Sequence, residues 1–535
     1  MKIHILILTI FFAIQQNSYT QYSPPANAGT GNVVIEGELK KWHKISLTFD
    51  GPAYSETAIA PNPFMDYRLN VTFTNGTRSV TVPGFFSCDG NAGESSATSG
   101  NKWRVHFSPD ATGTWNYSVS FRIGQNIAIS ANAGDGTAVA PLNGKTGTFT
   151  IGASDKTGRD FRGKGRLNYA SEHFLKFADN DEYFIKGGPN SPESLLAYDE
   201  MDGTPSVYAT NNFNAHDKHW QTGDPVWKST KGKGIIGAIN YLSGKGMNVL
   251  YCLTLSAFGD CKNVFPSISY DHTAGTYDLY HFDCSKLDQW EIVFSHMDMK
   301  GMLIHFVLTE TENEAMFEVM EKSSSFANSR KLYYREMLAR FGHHLALVWN
   351  IGEENGWNDG SSSIYKAGNT DAQRKAFATF IRELDAYDHP IDVHTLPGSW
   401  STVYTPLLNN SNFEGISGQL EYKGYSMDDT HPRTVEWINK SKNAGKKWFV
   451  CIDEPGHDNI PDVSGDDAGV RPDALDATHD IPRKDVLWGN LIGGGQGVEW
   501  YSGWNYIPDG GGDGRVDDYN KFNNIWDQTR FALEF

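Results

Sequence analysis

Leu345-Ala-Leu-Val-Trp349-Asn350-Ile351-Gly352-Glu353-Glu354-Asn355 is an apolar, β-prone run that ends in two adjacent carboxylates. A strand buried along its length and opening into a polar site at its C-terminal end has this form. Further on the pattern returns in Lys447-Trp448-Phe449-Val450-Cys451-Ile452-Asp453-Glu454-Pro455. Two buried strands therefore deliver a Glu at the same end, and the rest of the chain is read outward from that pair.

Around them, strand-like runs at 183–187, 248–255, 302–308, 346–351, 391–394, 415–420, 448–452 and 497–500 alternate with amphipathic stretches at 234–243, 287–299, 330–341, 372–387, 433–443 and 484–491. This alternation predicts an α/β TIM (β/α)8 barrel over 183–535 rather than a doubly wound sheet. The connection 404–413 reads as loop. Upstream, runs at 34–39, 44–49, 67–73, 102–107, 114–121 and 147–151 alternate apolar with polar residues, punctuated by Asp50-Gly51, Asn75-Gly76 and Asp89-Gly90. Period two over short segments predicts an all-β sandwich at 30–152, with Trp103 and Trp115 in its core. Residues 153–182 read as a linker and a small hairpin about Asn180-Asp181. The protein is expected to be multidomain, and Ala532-Leu-Glu-Phe535 stops inside a helical pattern, as if the barrel were truncated there.

The chain has 535 residues and a formal charge of −18, which disfavours nucleic acid as a partner because its phosphates would be repelled. Lys2 followed by the apolar run Ile3–Ile14 and a polar turn at Gln15-Gln16 reads as a signal peptide over 1–20, so a secreted or periplasmic location is expected. No later stretch is long and apolar enough to span a membrane. Of the 5 cysteines, Cys252 and Cys451 lie in apolar strand-like runs as buried thiols. Cys261 and Cys284 share one connecting segment and are a candidate pair, leaving Cys88 over.

In a barrel of this kind the active site lies at the C-terminal strand ends. There the sequence places Asn190 and Glu193, Phe258 and Asp260, Glu310 and Glu312, Glu353 and Glu354, His394, Gln419 and Glu421, Glu454, then Glu499, Trp500 and Trp504. This is an acidic mouth with indoles at its rim. Glycosidic cleavage passes through an oxocarbenium-like state, and a retaining enzyme needs two carboxylates about 5 to 5.5 Å apart, one attacking while the other protonates the leaving oxygen. The acid must hold its proton near neutral pH, which burial and a neighbouring negative charge promote.

The residues Ile351-Gly-Glu-Glu-Asn355 and Ile452-Asp-Glu454-Pro resemble the strand-four and strand-seven motifs of retaining glycoside hydrolases of clan A. A sandwich joined to a barrel opening with Gly187-Gly-Pro-Asn190-Ser-Pro-Glu193 is also similar to bacterial polysaccharide-degrading proteins with apiosidase-type barrels, a likeness that covers most of the chain. The resemblance implies Glu354 as acid/base and Glu454 as nucleophile, because Gly352-Glu353-Glu354 aligns with the clan's Gly-Asn-Glu. Glu353 stands where the clan has an Asn that binds the sugar 2-hydroxyl. It is either that ligand or the acid itself, and both readings stand.

Asn190 and Glu193 are candidate ligands of a terminal sugar, although a Gly-Pro-Asn turn also forms for backbone reasons. His394 is a sugar ligand or a structural histidine. Trp357, Trp400, Trp500 and Trp504 are candidate stacking platforms or packing residues. The acidic loop Asp509–Asp518, and similarly Asp462–Asp467, could hold calcium but lacks the ligand spacing of an EF-hand; both read as surface turns, and no metal or cofactor is expected. The function these residues predict is hydrolysis of a plant or algal polysaccharide, or of oligosaccharides from one, a red-algal galactan among the candidates. The alternative is a non-catalytic glycan-binding barrel; a lyase lacks the basic cluster that would neutralise a uronate.

Overall fold

The computed structural model describes residues 22–205, 210–259, 262–271, 274–323, 325–356, 368–420, 429–455, 469–502 and 516–535. The signal segment, Asp260, Cys261, Trp357, Glu421, Trp504, the stretch 462–467 and most of the loop 509–518 lie outside the described residues.

The alternating runs form β1 (Val33–Glu36), β2 (Ile45–Ser55), β3 (Tyr67–Asn75), β4 (Arg78–Pro83), β5 (Phe85–Phe86), β6 (Ser99–Phe107), β7 (Gly113–Ile123), β8 (Thr137–Ala138) and β9 (Thr146–Ile151). They pair antiparallel in two sheets, β1-β2-β6-β5 and β4-β3-β7-β8, with β9 also on β7. The β3–β4 hairpin turns at Gly76, whose φ of 59° is the left-handed backbone that tight hairpin turns require. Rings from the two sheets meet between them. Phe73 of β3 stacks on Phe107 of β6 with centroids 4.0 Å apart, and Trp103 of β6 lies edge-on to Phe121 of β7 at 4.9 Å. Trp103 and Trp115 are buried in this core, as expected.

A small antiparallel sheet follows, β10 (Leu167–Tyr169), β11 (Leu175–Phe177) and β12 (Tyr183–Phe184). The strand expected at 183–187 divides here. Its start pairs with β11, and the parallel pairing begins only at β13 (Lys186–Pro189). Next come β14 (Val249–Leu253), a hairpin of β15 (Tyr270–Asp271) and β16 (Thr276–Tyr277), then β17 (Leu303–Val307), β18 (Leu347–Asn350), β19 (Ile391–Asp392), β20 (His394–Thr395), β21 (Gly415–Leu420), β22 (Phe449–Pro455) and β23 (Gly497–Trp500). Parallel pairing runs β13-β23-β22-β21-β20 in one sheet and β14-β17-β18-β19 in another. On one side Asn248 links them: its N–H donates to Gly187 O and its Oδ1 accepts from Gly187 N, both at 2.9 Å. On the other, the chain itself passes from β19 to β20 through Val393.

Helices occupy the connections, among them Lys233–Gly244, Cys284–Lys300, Asn328–Phe341, Asp371–Leu384, Thr430–Asn443 and Asn523–Glu534. Asp371–Leu384 shows why: Thr370 and Gln373 form a reciprocal capping box, and Arg374, Phe377, Ala378 and Ile381 put one stripe inward. The connection 404–413, expected to be loop, follows the short helix Trp400–Tyr404 and holds one 3-10 turn at Thr405–Leu407 before running on without regular structure. None of the described helices is long and apolar enough to cross a membrane.

The helix Asn328–Phe341 is buried on nearly every side despite three arginines. It lies between the parallel strands and the N-terminal sheets, and its guanidinium groups cap their carbonyls. Arg335 Nη2 donates to Leu69 O at 2.9 Å and Asn70 Oδ1 at 3.0 Å, and Arg340 Nη2 donates to Phe86 O at 2.9 Å. Cys88, Cys252, Cys284 and Cys451 are buried free thiols. Cys284 sits against Cys88 and Glu56, their ligand atoms within 4.8 Å of one another, so the cysteine expected to be left over is its neighbour.

Candidate active site

The end of β18 is tied to its neighbours before the glutamates begin. Asn350 Oδ1 accepts from Gly352 N at 3.0 Å and from His394 N at 3.3 Å, and Glu353 N donates to Thr309 O at 2.8 Å. A Cβ on Gly352 would meet Asn355 Nδ2 at 2.8 Å and Thr309 Oγ1 at 2.9 Å, so no side chain fits there. Glu354 then takes a φ of 42°, a conformation rare outside glycine and met most often where a site constrains the backbone. The turn sends the two side chains to different environments: Glu353 is buried, and Glu354 only half-buried.

Gln419 brings the strand ends together. It leaves β21 where the pairing with β22 slips between Gly418 and Gln419. Its Nε2 donates to Glu454 Oε1 at 2.6 Å and to Glu354 Oε1 at 3.1 Å. Those two bonds laid end to end are the upper limit on the separation of the two oxygens. That limit holds for one oxygen of each group, and it is compatible with the roughly 5–5.5 Å between the carboxyl groups of a retaining pair.

Glu353 Oε1 accepts from Tyr251 Oη at 2.6 Å. Burial first, then the charges of Glu353, Glu193 and Glu454, hold the Tyr251 hydroxyl protonated, which places four acidic or phenolic groups in one cluster. Ligand atoms of Glu353, His394 and Glu454 lie within 4.8 Å of one another. Burial, then the charge on His305, lowers His394 to about 3, so its ring is neutral. Its Nδ1 accepts from Glu354 N at 3.4 Å, which assigns the ring proton to Nε2, 3.5 Å from Glu454 Oε2. Two oxygens and a nitrogen in this arrangement could hold a divalent cation, but both carboxylates already accept from the neutral donors Gln419 and Tyr251.

Beneath this layer lies a fully buried ionic cluster. Lys186 Nζ is 2.6 Å from Asp453 Oδ1 and 2.9 Å from Glu499 Oε1. His305 Nδ1 faces Glu499 Oε1 at 3.0 Å, and its Nε2 faces Asp392 Oδ1 at 3.4 Å. Burial pushes Asp453 up to about 6 against the pull of Lys186. Burial, the largest single influence, would lower His305, but the charges of Glu499 and Asp392 and the contact with Asp392 together outweigh it and raise the ring to about 10. The folded protein therefore holds that proton more tightly than an unfolded chain with a pKa of about 6.5. The stabilisation is complete below about pH 6.5 and is lost as pH rises towards 10. Denaturant titrations from pH 7 to 10 should show stability falling more steeply in the wild type than in His305→Gln; parallel curves would contradict the assignment.

The other expected site residues divide. Asn190 reaches the cluster's edge, donating from Nδ2 to Asp453 O at 2.9 Å and from its backbone to Trp500 O at 2.9 Å. Glu193 is buried near Tyr251. Trp400 and Trp500 are not platforms: both are buried, Trp400 donating to Gln419 O at 3.1 Å and Trp500 to Thr529 Oγ1 at 2.9 Å. Gly418 is what admits the Trp400 ring, since a Cβ there would stand 2.2 Å from it. Among the described residues, three buried polar atoms beside the carboxylates make no hydrogen bond: Asn190 Oδ1, Gln419 Oε1 and His394 Nε2, the last only facing Glu454 Oε2 at 3.5 Å. Tyr251, Lys186, His305, Asn350 and Asp392 went unread in the sequence, because each sits inside an apolar strand where only its distant partners reveal a role.

A model of a domain of unknown function (DUF5060) matches residues 38–122. None of the curated proteins matches. A solved structure described as a candidate glycoside hydrolase from Bacteroides vulgatus superposes with a TM-score of 0.51 at 18% identity, covering 80% of this chain and 66% of that one. The chain thus spans just under two thirds of that protein's length. A family 5 xyloglucanase from Bacteroides ovatus, solved with a XXXG heptasaccharide, matches at 11% identity and a TM-score of 0.40, over 94% of this chain and 100% of that one. A family 5 mannosidase from Rhizomucor miehei matches at 9% identity and 0.44, over 69% and 98%. The fold is glycoside-hydrolase-like, and at these identities the likeness establishes the fold alone.

Proposed function

We propose that the protein is an exported retaining glycoside hydrolase, its parallel strands closing a (β/α)8 barrel from 183 onward behind an N-terminal β-sandwich at 30–152. The observation that carries the reading is the Gln419 amide held between Glu354 and Glu454. Glu454 is the nucleophile. Glu354 protonates the leaving oxygen and then activates water, a double displacement for which the two carboxylates are close enough. The partnerless atoms of Asn190, Gln419 and His394 suit the hydroxyls of a sugar. The substrate is a plant or algal polysaccharide, or an oligosaccharide derived from one.

The geometry also favours Glu354 over Glu353 as the acid. Glu353 is buried and spoken for by Tyr251, whereas Glu354 is half-exposed at the mouth, where a leaving group departs. Glu354→Gln should slow cleavage of a native glycan by about 10²- to 10⁴-fold yet spare an aryl glycoside whose leaving group needs no proton. Glu353→Gln should slow both substrates alike. Steady-state kinetics on the two substrates decides the matter, and the opposite pattern makes Glu353 the acid. The substrate itself is found by screening plant and algal glycans and following the anomeric proton of the first product by NMR. Inverted product sinks the Glu454 assignment; binding without any product across the panel favours a glycan-binding protein.

A further inference from the structure

A cleft of about 770 Å³ opens at the other end of the parallel strands, between them and the N-terminal sheets. Trp42 and Asp110 reach it from the N-terminal sheets and Arg166 from the residue before β10, while Tyr387, Glu414 and Lys446 precede β19, β21 and β22. Glu354 and Glu454 stand at the opposite strand ends, so this cleft is separate from the site above.

Charge in the cleft is nearly balanced. Lys41 pairs with Asp179 at 2.7 Å, Arg78 with Asp110, Arg382 with Asp388 at 2.6 Å and Glu414 at 2.8 Å, and Lys446 with Glu414 at 2.6 Å. Every carboxylate of the lining is taken by these four cations, and Arg166 is left over. It is 6% exposed, and among the described residues the carboxylates that act on its charge, Asp385, Asp110 and Asp298, do so from beyond ion-pairing distance. Among the described residues its guanidinium makes one hydrogen bond, a 3.5 Å contact from Nη2 to Ser108 O, and its Nε makes none. The guanidinium lies 4.2 Å from the Tyr387 ring centroid and 5.4 Å from that of Trp42. Aromatic groups so placed cover its faces and fix its orientation, while its donor edges stay available.

A guanidinium cannot shed its proton, and burying one without a counter-charge is costly. A planar or tetrahedral oxyanion would satisfy two of its N–H groups at once. The volume fits a small ligand rather than a peptide groove, and Asn168, Tyr169, Ser411 and Asn412 add hydroxyl and amide groups and a half-buried ring. We propose that this cleft is a second binding site, in which Arg166 takes the carboxylate or sulfate ester of an acidic sugar. The proposal goes beyond hydrolysis at the strand ends and stands or falls by binding alone.

The test is calorimetric titration of the full chain at fixed ionic strength with glucuronate, galactose 6-sulfate, neutral galactose and inorganic sulfate. At least one acidic sugar should bind ten-fold or more tighter than galactose and than sulfate. Arg166→Gln should lose that preference ten-fold or more, and Arg166→Lys, a point charge without the fork, should recover only part of it. Ser411→Trp, on the exposed wall of the cleft, should block binding while leaving Arg166 in place, which keeps the test valid if the Arg166 variants fold poorly. Turnover at the strand ends should be unchanged in Ser411→Trp. Binding of no acidic sugar, equal binding of galactose or of sulfate, or full binding by either Arg166→Gln or Ser411→Trp would overturn the proposal.

Discussion

Turnover by Glu454→Gln is expected to fall by at least about 10⁴-fold, with glycan affinity within about ten-fold of wild type. The substitution keeps the shape of the side chain, and the amide oxygen it leaves can still accept from Gln419 Nε2, now 2.6 Å from a carboxylate oxygen. What is lost is the charge and the nucleophile, so the covalent intermediate cannot form. The atoms suited to hold sugar hydroxyls, on Asn190, Gln419 and His394, are untouched. Initial rates on the glycan found by screening, alongside calorimetric affinities, give both halves of the result. Rates near wild type would falsify Glu454 as nucleophile, and loss of affinity in step with rate would mean that the change had disrupted the pocket instead.

Lys186→Met is expected to cost about 3–5 kcal/mol of stability, the range seen when one partner of a buried ion pair is removed. Lys186 is 5% exposed at its side chain, and both carboxylates it touches, Asp453 and Glu499, are at 0%. Without the ammonium, two negative groups face each other in the interior with only His305 to offset them. The loss is a large part of a typical folding free energy of about 5–15 kcal/mol. Urea denaturation at pH 7 measures it, and the double variant Lys186→Met/Glu499→Gln should recover part of the loss. A change under about 1 kcal/mol would mean that the cluster is not the closed ionic unit its distances describe.

Which parts of this protein can be read in its sequence follows from how local each signal is. The runs 415–420 and 497–500 appear as strands with those bounds because they are short, apolar and flanked by turn residues. Glu353, Glu354, His394 and Glu454 could be placed at strand ends for the same reason. The first parallel strand starts later than expected because Tyr183 and Phe184 pair with β11 instead, and the role of Lys186 shows only once Asp453 and Glu499 are brought to it from far along the chain. Gln419 was visible as a strand end, but its grip on two glutamates depends on a slip in pairing that no periodicity shows. The indoles misled for the converse reason. Trp400 and Trp500 lie near loops in sequence, yet Gly418 and Thr529 make a place for them inside.

The all-round burial of the helix Asn328–Phe341 bears on how this chain can be divided. Its arginines are second donors to two buried carbonyls: Arg335 joins Gly84 N on Leu69 O, and Arg340 joins Cys284 Sγ on Phe86 O. A cut after residue 152 would leave Arg335 and Arg340 without these acceptors and would open the apolar core that both fragments share. The N-terminal sheets are therefore no portable module to be excised or grafted. They and the parallel strands are expected to melt in a single calorimetric transition, because one apolar core runs through both.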